Sequence, residues 1–158
     1  PQNEDKLKLF FTAHGYRKLF PKMNGLEEKI PSLQYFAIQV YITPLNLENP
    51  TIPNDLTGLI QNTKIKLEDY NIATKKIILT LYGNKNTIQI SKKKLERNAY
   101  ILLLFTLGEI KYRKHIYDFN CEALPQNTNG LLSLSELPEF IDYLAKINYS
   151  RKLKIFFE

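Results

Sequence analysis

Only one cysteine, Cys121, stands among the 158 residues, which excludes an intramolecular disulfide and a cysteine-based zinc site. Tryptophan is missing altogether, and there are two histidines. His14 and His115 lie far apart, with nothing at ligand or triad spacing beside them, so no metal is expected. Long apolar runs are missing too. The longest, Tyr100 to Phe105, falls well short of the roughly 20 residues that cross a bilayer, and no membrane segment is expected. The N-terminus lacks the basic-then-apolar layout of a secretory leader, which makes an intracellular protein the expectation. No repeat and no low-complexity tract interrupts the chain.

What is present suits one globular domain. Hydrophobic residues make up 44% and charged ones 24%, far from the composition of a disordered chain. The formal net charge is +6, which favours an anionic partner.

Period-two alternation is the strongest local signal. In KKIILTLYGNK (75–85), Ile77, Leu79 and Leu81 fall on one face, and Lys76, Ile78, Thr80 and Tyr82 on the other. LQYFAIQVYI (33–42) puts Phe36, Ile38, Val40 and Ile42 inward, with Tyr35, Ala37, Gln39 and Tyr41 opposite. TKIKLEDYN (63–71) turns Ile65 and Leu67 inward and Lys64, Lys66 and Glu68 outward, with Asp69 and Asn71 marking a turn. Leu7 to Phe11 reads as a strand or arm. The stretch 44–62, broken by Pro50, Pro53 and Gly58, reads as a long loop. NTIQISKKKLERN suits either a strand or a short helix capped by Asn86 or Thr87.

Farther on, AYILLLFTLGEIKY reads as a long strand, Arg113-Lys114-His115 as a basic turn, and IYDFNCEAL as the hairpin partner. Ser133 or Ser135 caps a helix in which Phe140, Ile141, Leu144 and Ile147 form an apolar stripe. KLKIFFE reads as a terminal strand. The order expected is three strands, a short helix, two strands and a helix. A mainly β, five-stranded Greek-key barrel of the oligonucleotide-binding (OB) type fits it, as does a meander packed on helices.

The run TKIKLEDYN, KKIILTLYGNK and NAYILLLFTLGEIKYRKHIYDF, followed by NGLLSLSELPEFIDYLAK, resembles the single-stranded-DNA-binding OB domains of the replication protein A large subunit and its telomere-dedicated paralogues. The resemblance spans about Leu33 to Ile147. Together with the element order it divides the chain into an arm at 1–32, which has no counterpart in the family, a barrel at 33–130, and a helix with a terminal strand at 131–158. It further implies single-stranded DNA as partner, adjacent OB domains or subunits of a multi-protein complex, a nuclear setting in replication or telomere maintenance, and no cofactor. Two aromatics would stack on bases: Tyr82, and Tyr117 on the fifth strand, with Tyr112 or Phe119 in its place if the register slips.

The residues offer further candidates on their own. Tyr35 and Tyr41 would extend a stacking surface, since every base presents a π-face. Lys64, Lys66, Lys76, Lys85 and Lys111, with Arg113 and Lys114, would meet phosphates. A different class of reading assigns the same aromatic face to a partner protein rather than a nucleic acid. PQNTNGLLSLSE (125–136) has the offsets of a calcium loop, but proline replaces its first acidic ligand. Glu68 and Asp69 sit at a turn with no nucleophile beside them, so no enzyme signature is present.

Overall fold

Local signals and tertiary packing divide the chain between them. A computed structural model describes residues 6–13, 16–47, 54–83 and 92–156. Its elements run β1 (Leu7–Phe11), α1 (Phe20–Glu27), β2 (Phe36–Val40), α2 (Asn54–Asn62), β3 (Lys64–Asn71), β4 (Lys76–Gly83), α3 (Lys92–His115), β5 (Ile116–Ala123), β6 (Leu132–Ser133) and α4 (Leu137–Phe156). β1 and β2 form a two-stranded parallel sheet. The other strands form a four-stranded sheet in the order β5-β4-β3-β6, with β4 and β5 parallel and the other pairs antiparallel.

The five-stranded barrel and the mainly β class are therefore corrected to an α/β arrangement of two open sheets with helices. The largest reversal is Ala99 to Tyr112, expected as a strand and found inside helix α3. A continuous apolar run has no periodicity that separates a strand from a helix buried on several sides. Its composition, rich in Leu and poor in β-branched residues, favours the helix once packing is available. The consequence for topology is direct. Sixteen helical residues before the break at Gly108 rise about 24 Å, close to the roughly 26 Å of an eight-residue strand, so the chain returns to the end from which β4 began. β5 accordingly runs parallel to β4 instead of closing a hairpin.

Three smaller expectations change with it. The basic turn at 113–115 is the last turn of α3. Residues 152–156 end α4 rather than forming a strand, and α2 occupies residues 54–62 within the expected loop. Asn86 and Thr87 lie outside the described residues.

The alternation in β3 and β4 holds. Ile65, Ile77, Leu79 and Leu81 are buried against Ile60 of α2, Ala99, Leu103 and Leu107 of α3, and Leu137 and Ile141 of α4. Each such side chain contributes roughly 1.5–3 kcal/mol when fully buried. This core contains no residue of β1 or β2.

α3 is broken at Gly108, whose φ of 72° and ψ of 160° lie outside helical geometry. The break frees backbone groups that residues 42–45 satisfy: Glu109 N–H donates to the Ile42 carbonyl (2.7 Å) and Leu45 N–H to the Phe105 carbonyl (2.8 Å). Lys111 then ties α3 to α4 by an ion pair to Asp142 Oδ1 (2.8 Å) and a hydrogen bond to the Pro138 carbonyl (3.0 Å).

Candidate functional site

The sheet face away from the helices collects several of the expected binding residues, and strand register decides their neighbours. Lys64, Tyr82 and Glu122 share one row across β3, β4 and β5. Lys66, Thr80 and Asn120 share the next, and Asp69, Ile78 and Asp118 the one after. A bulge between Leu67 and Asp69 leaves Glu68 on this face, as alternation places it, and turns Asp69 onto it as well. There the Glu68 carboxylate accepts from Lys66 Nζ (3.0 Å) and Thr80 Oγ1 (2.9 Å). These bonds hold the Glu68 carboxyl below its ordinary range, and the hydrogen bond to Glu68 raises Lys66. Three lysines therefore share the face with Glu68, Asp69, Asp118 and Glu122, which removes the basic character expected of a phosphate track.

Tyr82 is 8% exposed, although it lies on this outer face. β4 is the central strand here, and the flanking strands place Lys64 and Glu122 on either side of the ring. Long charged side chains cover apolar surface with their stems. Lys76 Nζ faces the carbonyls of Arg113 (3.2 Å) and Ile116 (3.5 Å), a cation at the C-terminal end of α3.

The remaining expected residues scatter. Phe119 faces the helices and packs against the core, as does Tyr112, whose ring meets Tyr100 edge-on at 5.3 Å. Burial pushes the Tyr112 hydroxyl up to about 12. Tyr41 is buried, its ring edge-on to Phe20 and its hydroxyl donating to Asn24 Oδ1 (2.6 Å), with burial first and Glu109 second raising its pKa. Lys111 is held by Asp142, and Lys85 lies outside the described residues. Tyr35, just before β2, and Tyr117, on β5, remain exposed, at 63% and 72%.

Tyr117 lines a concavity of about 360 Å³ with Asp69, Asn71, Thr74, Lys76 and Ile78. Asp69 Oδ1 accepts from Tyr70 N–H (2.8 Å) and Asn71 Oδ1 from Thr74 N–H (2.9 Å), so part of its polar lining is spent on the β3–β4 turn. Among the described residues no group of three metal-ligating side chains occurs, and no helix is long and apolar enough to cross a membrane.

A second surface was not singled out from the sequence. β1 exposes Leu7, Leu9, Phe10 and Phe11 at 66%, 42%, 49% and 44%, and Phe36 on β2 is 38% exposed. The register pairs Leu7 with Phe36, Leu9 with Ile38 and Phe11 with Val40. The β2 face expected to be inward is thus open at its Phe36 end and buried at Val40. The available signal was the five-residue run LKLFF, apolar at four positions, in a segment without a predicted core to meet.

Compared with known proteins, the chain matches no family model, no curated protein and no solved structure. Geometry alone carries the functional reading.

Proposed function

We propose that the protein is a non-catalytic interaction module that docks a polypeptide on the apolar layer formed by β1 and β2, as one part of a larger assembly. One observation carries this reading: four of the five β1 side chains are large, apolar and 42–66% exposed, while the core is complete without them. Scattered apolar residues are ordinary on a protein surface, but a contiguous patch of this kind marks contact with another molecule. The energetic gain from covering it is realised on association, because the monomer's own packing leaves it in water.

A photo-crosslinking residue placed at Phe10, compared with one placed at Tyr117, tests the assignment in cells. Covalent adducts larger than the 18.5 kDa chain are expected from position 10. An absence of adducts there would overturn the reading.

Single-stranded nucleic acid is the second reading, favoured by the exposed ring of Tyr117 close to the exposed Arg113 and Lys114 at the end of α3. Under it, a labelled single-stranded DNA binds less tightly as salt rises, and Tyr117→Ala costs roughly 1–3 kcal/mol. Binding that ignores both salt and the substitution would remove this reading.

A further inference from the structure

The partner chemistry can be taken one step further, on the basis of the interaction reading above. β1 pairs with β2 alone among the described residues. In a parallel ladder, alternate residues direct both backbone groups to the same neighbour. The bonds from Leu7 N–H to the Tyr35 carbonyl (3.1 Å) and from Tyr41 N–H to the Phe11 carbonyl (2.8 Å) show that Leu7, Leu9 and Phe11 face β2. Lys8 and Phe10 therefore direct their N–H and C=O groups to the open edge. No proline and no bulge blunts that edge, and such edges template strand addition.

We propose that the open edge of β1 pairs antiparallel with the same edge of a second copy, about a two-fold axis at Leu9. In this register Lys8 lies opposite Phe10 of the second copy, and the two exchange both backbone bonds. Each copy does the same, so four backbone hydrogen bonds close the interface. Leu9 meets Leu9 of the second copy at the non-hydrogen-bonded position, where side chains approach most closely. Leu7 meets Phe11 of the second copy on the same face. On the other face the ammonium of Lys8 falls beside the Phe10 ring, a cation–π arrangement. A register centred on Lys8 would instead oppose two ammonium groups, a destabilising cross-strand pair.

Self-pairing is isologous, so the one patch suffices for both sides and closes at two copies. It also converts two marginal two-stranded sheets into a single four-stranded one. Partial exposure of Leu7, Leu9, Phe10 and Phe11 leaves about 300 Å² of apolar surface on β1 per copy, taking aromatic side chains as burying about 200 Å² each, and edge pairing covers only the part of it that flanks the second copy. With the strand backbone, the total for two copies stays below the roughly 1,000 Å² of a stable specific interface, in the range of a weak and transient one. A concentration-dependent dimer is therefore expected, and not a permanent one.

Sedimentation velocity from about 1 to 200 µM tests the proposal on the full chain. Wild type is expected to shift from 18.5 kDa toward twice that mass. Phe10→Lys sets two ammonium groups opposite each other and is expected to hold the protein monomeric at every concentration. The double variant Lys8→Glu/Phe10→Lys sets opposite charges in the same register and is expected to restore the dimer. Amide hydrogen exchange at Lys8 and Phe10 in wild type, which needs no variant to fold, is expected to slow at least tenfold between the two concentrations. A wild type monomeric throughout, or a dimer that the single substitution leaves unchanged, overturns the proposal. Adducts at position 10 in cells with a monomer in solution would overturn self-pairing alone and leave the interaction module standing.

Discussion

Gly108 shows how one residue without a side chain sets the path of two segments. Its backbone lies in a region nearly restricted to glycine, and a Cβ built there would sit 2.7 Å from Pro44 Cδ and 3.1 Å from the Ile42 carbonyl oxygen. Both effects act together, so Gly108→Ala is expected to lower stability by about 3 kcal/mol, read as a reduced denaturant midpoint. His115 couples stability to pH. Burial, the largest cause, lowers its pKa, while Nδ1 stays 3.1 Å from the Lys75 carbonyl. A folded pKa below the unfolded one means that protonation favours the unfolded chain. The corresponding stability is complete above about pH 6.5 and is lost as pH falls through the lower folded value. His115→Gln is expected to flatten the stability-versus-pH curve below about pH 6.5; a slope identical to wild type would contradict this. Cys121 behaves as a packed thiol, since burial pushes it up to about 11. Its alkylation at pH 8 is expected to run roughly a hundredfold slower than that of an ordinary thiol.

At the scale of elements, helix ends and strand order carry the argument. Ser133 begins a short 3₁₀ turn, Leu134–Glu136, that leads into α4. Its N–H donates to Glu136 Oε2 (2.6 Å), and its hydroxyl donates to the Gln61 carbonyl near the end of α2 (2.8 Å). One serine thus joins the entry of α4 to the exit of α2. Ser133→Ala is expected to cost about 1–2 kcal/mol with an unchanged denaturant slope. A capping serine, Ser133 or Ser135, was visible in the sequence, and the structure selects Ser133 with Glu136. The link from Ser133 to Gln61 was not, because it joins groups 72 residues apart. The same limit applies to Tyr82, whose face follows from alternation while its burial follows from the strands on both sides. It applies equally to Asp69, which alternation points inward and a bulge turns onto the outer face.

For the whole molecule, the two apolar surfaces make opposite predictions. Leu103 is fully buried between α3 and the sheet, and Leu103→Ala is expected to cost about 2–5 kcal/mol. Leu7 is 66% exposed, and Leu7→Ala is expected to stay within about 0.5 kcal/mol at a concentration where the chain is monomeric. A large loss from Leu7→Ala in the monomer would mean that β1 serves the fold and not a partner. The net charge of +6 is likewise a property of the whole, and it does not concentrate on the sheet face where the lysines were expected to act.

The sequence by itself determined β2, β3 and β4, the inward face of the central strands and a capping serine, Ser133 or Ser135, at the entry to α4. These are short-range patterns, and the forces that produce them act over a few residues. Only the tertiary structure decided that Ala99 to Tyr112 is helical, that β5 runs parallel to β4, and that the ring of Tyr82 is covered while β1 is not. A uniformly apolar run fits a helix or a strand equally well until its surroundings are set. Exposure depends on neighbours that the chain supplies from far away, or does not supply at all.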